Sequence, residues 1–387
     1  MRLSTRTITP AAVVAACLFC VSIAEAKKPV TPPGGGGGGS DSATAPFTVI
    51  ELPGIDIAYK VSQQSVEGAV TVAGGSGSNA AYAVVDVATR LVLADGPLPV
   101  PGNVTSDAWD VNSSGTIVGS AGALPMRWVP QGTGYGFDVL PLLTGDSSGV
   151  VVAVSESGEM VGTSNTANSS RAAYWNGAAT TVIDLNSYVA PGSGWTLVAT
   201  NDINSGGQVV GTGVLDGASR GFVLDLLTGN IDAVPLVAGS VENEAWQINE
   251  TGHVIGRAND GIVGGGPIPQ GGWGFYWGGP GTEPQLLPSS EQGRGIARGI
   301  NNVDELTGDS AINSAPLGND DQFASLWTPT GNDGFLVTDL GNQISSKPEW
   351  YLRIGFGIND DLWIAGEGRK RQKGKYSWHG VLIAPNP

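Results

Sequence analysis

Residues 108–119 read AWDVNSSGTIVG, and this stretch decides the fold because it recurs along the chain. Six further copies end in a glycine: YKVSQQSVEGAVTVAG at Gly74, AVSESGEMVG at Gly162, NDINSGGQVVG at Gly211, AWQINETGHVIG at Gly256, ARGINNVDELTG at Gly308 and GFGINDDLWIAG at Gly366. The seven closing glycines are 45, 43, 49, 45, 52 and 58 residues apart, a spacing that suits units of four short strands.

The centre of each copy has the features of a β-hairpin turn. Asn followed three residues later by Gly is typical of a type I turn that ends in a left-handed glycine. Four copies follow this rule: Asn112 with Gly115, Ser155 with Gly158, Asn204 with Gly207, and Asn249 with Gly252. Asn301 and Asn359 are followed at that place by Asp304 and Leu362. We therefore expect the last two turns to be built differently.

The rest of each unit predicts two more strands. An aromatic segment follows each copy, at Tyr82, Trp128, Trp175, Phe222, Trp277, Trp327 and Trp378, and a fourth apolar segment follows six of them. The last unit lacks its fourth segment, whereas FTVIEL at 47–52 precedes the first unit and resembles one. We therefore predict an all-β fold, a seven-bladed β-propeller of four-stranded blades in which the N-terminal strand completes the last blade. Such closure covers the edge that the third strand of the last blade would otherwise leave exposed.

The N-terminus predicts export. Residues 1–26 combine Arg2 and Arg6, an apolar stretch and a small-residue site ending at Ala26, as in a secretory signal peptide. Residues 27–46 form a Pro/Gly-rich linker without core-forming residues, and 47–387 are expected to form one propeller domain. We expect a secreted or periplasmic protein without a membrane span. The alternative is a lipoprotein attached at Cys17, because VAAC at 14–17 resembles a lipobox.

Composition narrows the range of ligands. Cys17 and Cys20 both lie in the predicted signal peptide, so the mature chain has no thiolate chemistry. Removal of that peptide takes the totals from 19 basic and 35 acidic residues to 17 and 34. A net charge of this sign argues against nucleic acid as a partner. We expect a monomer with an extracellular ligand, a polysaccharide among the candidates.

The repeat resembles a known family. Alternation of IN-x-x-G-x-V-V-G with an aromatic A-x-x-W segment is similar to the HAF-type extracellular repeats of bacterial secreted proteins, over about Ala58 to Ile383. The histidine that gives those repeats their name is missing from RAAYW, GFYW and ASLW in this chain. The resemblance implies export and a β-repeat fold, and it implies no defined activity.

One repeat position is a candidate ligand site. Equivalent positions of successive blades form a ring about the propeller axis, so the first residues of the second strands could share one annulus at the channel mouth. The alternative is ordinary strand alternation toward water. The candidate ring consists of Thr116, Glu159, Gln208, His253, Glu305 and Trp363.

The charged segments suggest two weaker sites. The basic run Arg369, Lys370, Arg371, Lys373 and Lys375 is expected on a hairpin turn, either as a solvated loop or as a contact to an anionic polysaccharide. Acidic loops at 318–321 and 359–361 carry oxygen ligands that Ca²⁺ accepts, but neither has the spacing of an EF-hand loop. We expect solvated turns there, with calcium as a weak alternative and no other cofactor.

Tryptophan and histidine complete the candidate residues. Trp128, Trp175, Trp277, Trp327 and Trp378 recur at one repeat position and are expected to pack between blades. Trp195, Trp273 and Trp350 lie outside that register and are better candidates for an exposed platform. His253 is expected to be an ordinary surface residue, and His379 has no evident Asp or Ser partner for a catalytic triad.

Two function classes remain open. A non-catalytic extracellular binding or adhesion module, for carbohydrate or a cell-envelope polymer, is favoured by the regular repeat and its turns of Gly, Asn and Ser. The alternative is an extracellular propeller enzyme, a hydrolase or lyase acting on glycans, which needs convergent acidic or basic groups in a pocket. The sequence assigns no catalytic residue.

Overall fold

The chain folds into seven four-stranded antiparallel sheets. The structure is a computed structural model, and it describes residues 45–64, 67–259, 272–289, 293–312, 322–331, 334–345 and 349–387. The innermost strands of successive sheets contact one another around a closed ring. The protein is therefore a seven-bladed β-propeller, as the repeat predicts. The predicted signal peptide and all but the last two residues of the linker lie outside the described residues.

The strands of each blade follow one another along the chain in the first six blades. Blade 1 contains β2 (Ile57–Val61), β3 (Ala69–Ser76), β4 (Asn79–Asp86) and β5 (Val92–Pro97). Blade 2 contains β6 (Ser106–Val111), β7 (Ile117–Ala121), β8 (Leu124–Gln131) and β9 (Gly134–Val139). Blade 3 contains β10 (Ser148–Val154), β11 (Met160–Asn165), β12 (Ser170–Trp175) and β13 (Val182–Asp184), followed by a 3₁₀ helix, Leu185–Tyr188.

The second half of the ring has the same order. Blade 4 contains β14 (Trp195–Ile203), β15 (Gln208–Leu215), β16 (Ala218–Asp225) and β17 (Ile231–Ala233). Blade 5 contains β18 (Glu242–Ile248), β19 (Val254–Asn259), β20 (Trp273–Trp277) and β21 (Gln285–Leu286). Blade 6 contains β22 (Gly293–Ile300), β23 (Leu306–Ile312), β24 (Gln322–Pro329) and β25 (Phe335–Asp339), followed by a 3₁₀ helix, Leu340–Asn342. Blade 7 contains β26 (Trp350–Ile358), β27 (Ile364–Gln372) and β28 (Lys375–Pro385).

The N-terminal strand β1 (Phe47–Glu51) is the outer strand of blade 7, as predicted. It pairs antiparallel with β28, with Phe47 opposite Pro385 and Glu51 opposite Val381. Phe47 and Val381 are buried in one core cluster that also contains blade 6 residues. Ring closure therefore joins the two ends of the chain through both backbone pairing and apolar packing.

In blades 2 to 7 the turns after the innermost strands share one geometry, which corrects the expectation for the last two; the longer turn of blade 1 lies partly outside the described residues. Asp304 and Leu362 donate backbone hydrogen bonds to Asn301 and Asn359 at 3.2 Å, as Gly115 does to Asn112 at 2.9 Å. Their φ angles are 64° and 61°, the left-handed region that glycine occupies in the other copies. The asparagine side chain accepts the N–H four residues on in both turns, at 2.8 and 2.9 Å. These bonds hold the turn in place although a Cβ in this region is unfavourable.

Strand register corrects part of the aromatic alignment. Trp128, Trp175, Trp277 and Trp327 are at most 2% exposed and pack between blades, as expected. The same position, two residues beyond the partner of the closing glycine, holds Ala83, Leu224 and Ile383 in blades 1, 4 and 7. Trp378 lies five residues before Ile383 and is 42% exposed, so its assignment to the core is wrong.

Candidate functional site

A β-bulge in every innermost strand faces the propeller axis. The register shifts around one residue three positions before each turn, at Tyr59, Trp109, Val152, Asn201, Trp246, Arg298 and Phe356. The Tyr59 ring lies 5.0 Å from Trp109 in the next blade and 5.5 Å from Phe356 in the preceding one. A side chain on an innermost strand that contacts both neighbouring innermost strands lies on the axial side. The bulges therefore line the channel.

Hydrogen bonds from the turn asparagines join one blade to the next. The Nδ2 atoms of five asparagines donate to the backbone carbonyl of the equivalent turn residue in the following blade, at 3.0 to 3.1 Å. These donors are Asn112, Asn204, Asn249, Asn301 and Asn359. Ser62 and Ser155 occupy the two remaining turns, and a hydroxyl is too short for the same bond. The asparagines therefore connect adjacent blades by hydrogen bonds, in addition to forming the turns.

A depression that is open to solvent lies on the axis beside these turns. Lys60, Asp110 and Asp202 line it together with the turn residues Glu156 and Glu250. Lys60 Nζ lies 3.7 Å from Asp110 Oδ1. Burial raises the pKa of Asp202 to about 7, against the lowering influence of Lys60. Burial also raises the pKa of Asp110, and Lys60 again opposes the rise. The lysine therefore partly neutralises two buried carboxyl groups at the axis.

None of the six candidate ring residues is among the residues that line this depression. Their side chains contact other residues of their own blade or of the neighbouring blade. Trp363 is 3% exposed in the core between blades 7 and 1. The other five contact neighbouring polar groups: Thr116 Oγ1 with Ser114 Oγ (3.0 Å), Glu159 Oε1 with Tyr174 Oη (2.7 Å), Gln208 Oε1 with Asn204 Nδ2 (2.9 Å), His253 Nδ1 with Asp304 Oδ1 (2.8 Å) and Glu305 Oε2 with Asn301 Nδ2 (2.9 Å). Ligand binding by this ring stays a prediction.

Ion pairs join the first and second strands of blades 5, 6 and 7. The pairs are Arg257 with Glu244 at 3.0 Å, Arg298 with Asp309 at 2.8 Å and Arg353 with Glu367 at 2.6 Å. Gln322 joins two of them, since its Nε2 donates to Asp309 at 2.8 Å and its Oε1 accepts from Arg353 Nη2 at 3.0 Å. The acidic members are at most 8% exposed. Buried charges of this kind are retained only when paired, as they are here.

The hairpin of β27 and β28, called the ribbon below, pairs along β26 as far as Lys370, and its tip extends beyond that strand. Its strands pair as far as Gln372 and Lys375, with Lys373 and Gly374 at φ 48° and 79° in the turn. Positive φ at both central residues is the geometry of a type I′ turn, which matches the twist of the strands. Residues 371–378 are exposed. The basic run therefore spans the end of β27, the turn and the first residue of β28, and only Lys373 lies in the turn itself, which corrects the expectation that the whole run lies there.

One face of the ribbon carries arginine between aromatic rings. The guanidinium carbon of Arg369 lies 4.8 Å from the ring centre of Tyr351, 5.4 Å from Tyr376 and 5.1 Å from Trp378. The guanidinium of Arg353 lies 5.3 Å from the same Trp378 ring. Tyr376 is 48% exposed and Trp378 is 42% exposed. We call Arg369, Tyr376 and Trp378 the aromatic face of the ribbon.

The opposite face carries a serine, a histidine and a glutamate in contact. Ser377 Oγ lies 2.7 Å from His379 Nε2, and His379 Nδ1 lies 3.1 Å from Glu51 Oε1. Lys370 Nζ donates to Glu51 Oε2 at 2.8 Å, and this contact raises the pKa of the lysine. Trp350 meets the imidazole ring edge-on at 5.8 Å. The expectation that His379 lacks partners is wrong.

The remaining candidates separate into buried and partly exposed residues. Trp350 is 9% exposed, so it is not an open platform, whereas Trp195 and Trp273 are partly exposed. His253 is a partly exposed residue held by Asp304 and by Tyr276 Oη at 2.9 Å. The sequence reasoning missed the bulge residues and the Ser377 contact. The order Ser-x-His was visible in the sequence, since alternate residues of a strand share a face.

The acidic loops have separate outcomes. The loop at 318–321 lies outside the described residues. In the other loop, Asp360 accepts the backbone N–H of Asn302 at 2.8 Å, and thereby joins the turns of blades 6 and 7. Within the described ranges, no group of three or more His, Cys, Asp or Glu residues is arranged to hold a metal ion. The described segments also contain no helix of the length and apolarity that a membrane crossing requires.

Comparison with known proteins supports the fold. No protein-family model matches the chain, and no curated relative matches it. Solved structures with similar architecture include a fungal alcohol oxidase of the AA5 family in complex with copper, at 12% identity and TM-score 0.51, covering 89% of this chain and 77% of that chain. An oligogalacturonate lyase in complex with manganese has 12% identity and TM-score 0.52, covering 88% and 91%.

A puromycin hydrolase mutant in complex with PGG is a third similar structure, at 12% identity and TM-score 0.52. The match covers 87% of this chain and 54% of that chain, so this chain spans about half the length of the hydrolase. Identities this low show a shared propeller fold and no shared activity.

Proposed function

We propose that this chain is an exported binding module whose aromatic face, on the ribbon of blade 7, binds an anionic polysaccharide. The observation that carries the proposal is the exposure of Tyr376 and Trp378, whose ring centres lie 5.4 and 5.1 Å from the Arg369 guanidinium carbon. Aromatic rings offer a flat apolar surface to the C–H face of a sugar, and guanidinium groups recognise carboxylates through paired N–H donors.

The charge distribution supports an anionic ligand. The chain has a net charge of −16, yet five of its 19 basic residues lie within 369–375. A local positive patch on an acidic protein attracts an anionic polymer while the rest of the surface repels it. Such contacts lose strength as salt rises, because exposed charges are screened over about 8 Å at physiological ionic strength.

Export is part of the same proposal. The signal-like segment at 1–26 and the Pro/Gly-rich segment at 27–46 support a secreted or periplasmic product, for which a cell-envelope or extracellular polymer is the accessible ligand. The HAF-type resemblance of the repeats supports the same location. The ribbon extends beyond the body of blade 7, so a long polymer can reach it without entering the channel.

Binding to polygalacturonate and to neutral dextran, measured by calorimetry at two salt concentrations, tests the proposal. We expect the parent chain to bind polygalacturonate, Trp378→Ala to bind at least tenfold more weakly, and higher salt to weaken binding by the parent. Phe137→Ala removes a comparably exposed aromatic ring on β9, so it is the matched control and should bind as the parent does. Equal binding by Trp378→Ala and the parent, or preference for dextran, would contradict the proposal.

A further inference from the structure

The face of the ribbon opposite the aromatic face has the connectivity of a nucleophile, a base and an orienting carboxylate. Ser377 and His379 are alternate residues of β28, so their side chains share a face. Glu51 of β1 pairs with Val381, which is two residues further along the same face. Lys370 is opposite Ser377 in register and therefore lies on that face too. Three strands thus bring four polar side chains together.

The order of contacts is the one that acyl transfer needs. A serine becomes a nucleophile when a histidine nitrogen accepts its proton, and the histidine is oriented by a carboxylate at its other nitrogen. Here the two nitrogens are used in that order, with Nε2 at 2.7 Å from Ser377 Oγ and Nδ1 at 3.1 Å from Glu51 Oε1. Trp350 packs against the imidazole edge-on and limits its rotation.

We propose that Ser377, His379 and Glu51 form a triad that hydrolyses carboxylic esters, with O-acetyl esters of a polysaccharide as the substrate class. This activity goes beyond binding. The acyl-transfer chemistry is independent of the proposed function, whereas the choice of a polysaccharide ester rests on it. Ser377 lies on an exposed strand, which suits an ester carried on the surface of a polymer.

The reaction is a two-step transfer of the acyl group. Ser377 Oγ attacks the ester carbonyl carbon and gives its proton to His379 Nε2. The tetrahedral intermediate breaks its bond to the sugar oxygen, which takes that proton and leaves as a hydroxyl group. Water then gives a proton to His379 and attacks the acetyl-serine, and the serine oxygen takes that proton and leaves as acetic acid is released, which ionises to acetate in solution.

Glu51 and Lys370 are positioning residues in this scheme. Glu51 Oε1 holds the Nδ1 side of the imidazole and stabilises the imidazolium that forms. Lys370 holds the other carboxylate oxygen at 2.8 Å, and Glu349 lies 3.4 Å from the same ammonium. The lysine therefore fixes Glu51 in place and contributes positive charge to the face on which the oxyanion develops.

Covalent labelling with a fluorophosphonate probe, followed by peptide mass spectrometry, is the first test. We expect the adduct on Ser377 in the parent and none at that position in His379→Gln, where the base is lost. Hydrolysis of p-nitrophenyl acetate should fall at least tenfold in Ser377→Ala and stay at the parental rate in Ser193→Ala, which removes another exposed serine. Parental hydrolysis by Ser377→Ala, or an adduct only at other residues, would overturn the triad.

Glu51→Gln separates orientation of the histidine from simple structural support. We expect a lower rate and a shift of the pH–rate midpoint to lower pH, because the carboxylate that stabilises the imidazolium is gone, while the thermal midpoint changes little. A rate loss with an unshifted midpoint would overturn the orienting role. p-Nitrophenyl acetate carries no sugar, so its hydrolysis reports on the triad, whereas calorimetry with polygalacturonate reports on the aromatic face; failure of the triad and failure of the binding proposal are therefore distinguishable. Acetate release from acetylated polygalacturonate tests the substrate class, and its absence in a chain that hydrolyses p-nitrophenyl acetate would overturn that assignment.

Discussion

The side-chain amide of Asn359 in blade 7 donates a hydrogen bond of 3.0 Å to the backbone carbonyl of Ser62 in blade 1, 297 residues away in the chain. At the same junction, a Cβ on Gly357 would lie 2.9 Å from the Lys60 Cα atom, so the two innermost strands approach too closely for any larger residue. Together with the β1–β28 pairing, these contacts make blades 7 and 1 neighbours in a closed ring.

Deletion of 47–52 should abolish cooperative thermal unfolding. The deleted strand supplies five paired residues to blade 7 and the buried side chain of Phe47, and without it β28 becomes an open edge. Differential scanning calorimetry of the shortened chain is the measurement. Deletion of 27–44 is the control and should leave the transition unchanged. A chain without 47–52 that melts like the parent would show that closure does not depend on β1.

Substitution of a turn asparagine by serine should lower the free energy of unfolding by about 1 kcal/mol, because it removes one buried inter-blade hydrogen bond. Asn112→Ser is the sharpest case, since Asn112 Nδ2 donates to the next blade at Ser155 O and the native Ser155 shows that a serine hydroxyl still accepts the N–H four residues on. Urea denaturation should show a lower midpoint with an unchanged slope.

The reverse change, Ser155→Asn, should raise the midpoint by restoring the missing bond to the turn of blade 4. If both variants unfold at the parental urea concentration, the inter-blade hydrogen bonds of the asparagine amides do not contribute to stability.

A Cβ at a left-handed turn position should cost about 1 kcal/mol of stability. Gly158 has a φ of 86°, and a Cβ added there would have no heavy atom within 4 Å, so Gly158→Ala tests backbone strain without a steric clash. Gly177 has an ordinary φ and only van der Waals contacts, so Gly177→Ala should leave stability unchanged or raise it slightly. Equal melting temperatures for the two variants would contradict the strain argument.

The stability of the parent relative to Asp202→Asn should rise as pH falls from about 8 to 5. Burial raises the pKa of Asp202 to about 7, far above the value near 4 of an unfolded aspartate. The folded state therefore holds the proton more tightly, so this contribution is fully present below about pH 4 and is lost as pH rises through 7. Lys60, Asp110 and Glu156 face the same site; next to the dominant effect of burial, the Lys60 ammonium lowers the pKa of Asp202 and the Asp110 carboxylate raises it.

Urea midpoints of the parent and of Asp202→Asn across this pH range measure the difference. Gly158→Ala is the control, because it changes no titratable group, and its difference from the parent should not change with pH over this range. A parent and an Asp202→Asn chain with parallel pH curves would show that Asp202 stays charged throughout.

The repeat predicts the blade count because each copy carries a local signal. A turn asparagine, a closing glycine and paired apolar residues are sufficient for one hairpin, and the missing last strand with the spare first one predicts closure. Register was harder to obtain from sequence. Blade 7 contains Ile383 where four other blades contain tryptophan, so alignment by aromatic residue alone placed Trp378 in the core, five residues away from its true position.

Two non-glycine residues with positive φ, Asp304 and Leu362, show a different limit of prediction from sequence. Asp304 and Leu362 lack the conformational freedom of glycine, so a local rule excluded the common turn. The asparagine bonds within each turn and the inter-blade bonds around the ring hold the backbone in place nevertheless. Asp304 also bonds to Asn249 and His253 of the preceding blade at 2.9 and 2.8 Å. Contacts between blades thus outweigh the local preference.

The sequence by itself determined the seven units, their four strands and the use of the N-terminal segment to complete the last unit, because these depend on spacing and hydrophobic pattern within each unit. Only the tertiary structure decided which side chains meet. Glu51 reaches His379 because ring closure brings residues 328 positions apart into adjacent strands, and Lys60 reaches Asp110 because a bulge turns both toward the axis. Such contacts depend on register and twist summed over seven blades, which no local pattern contains.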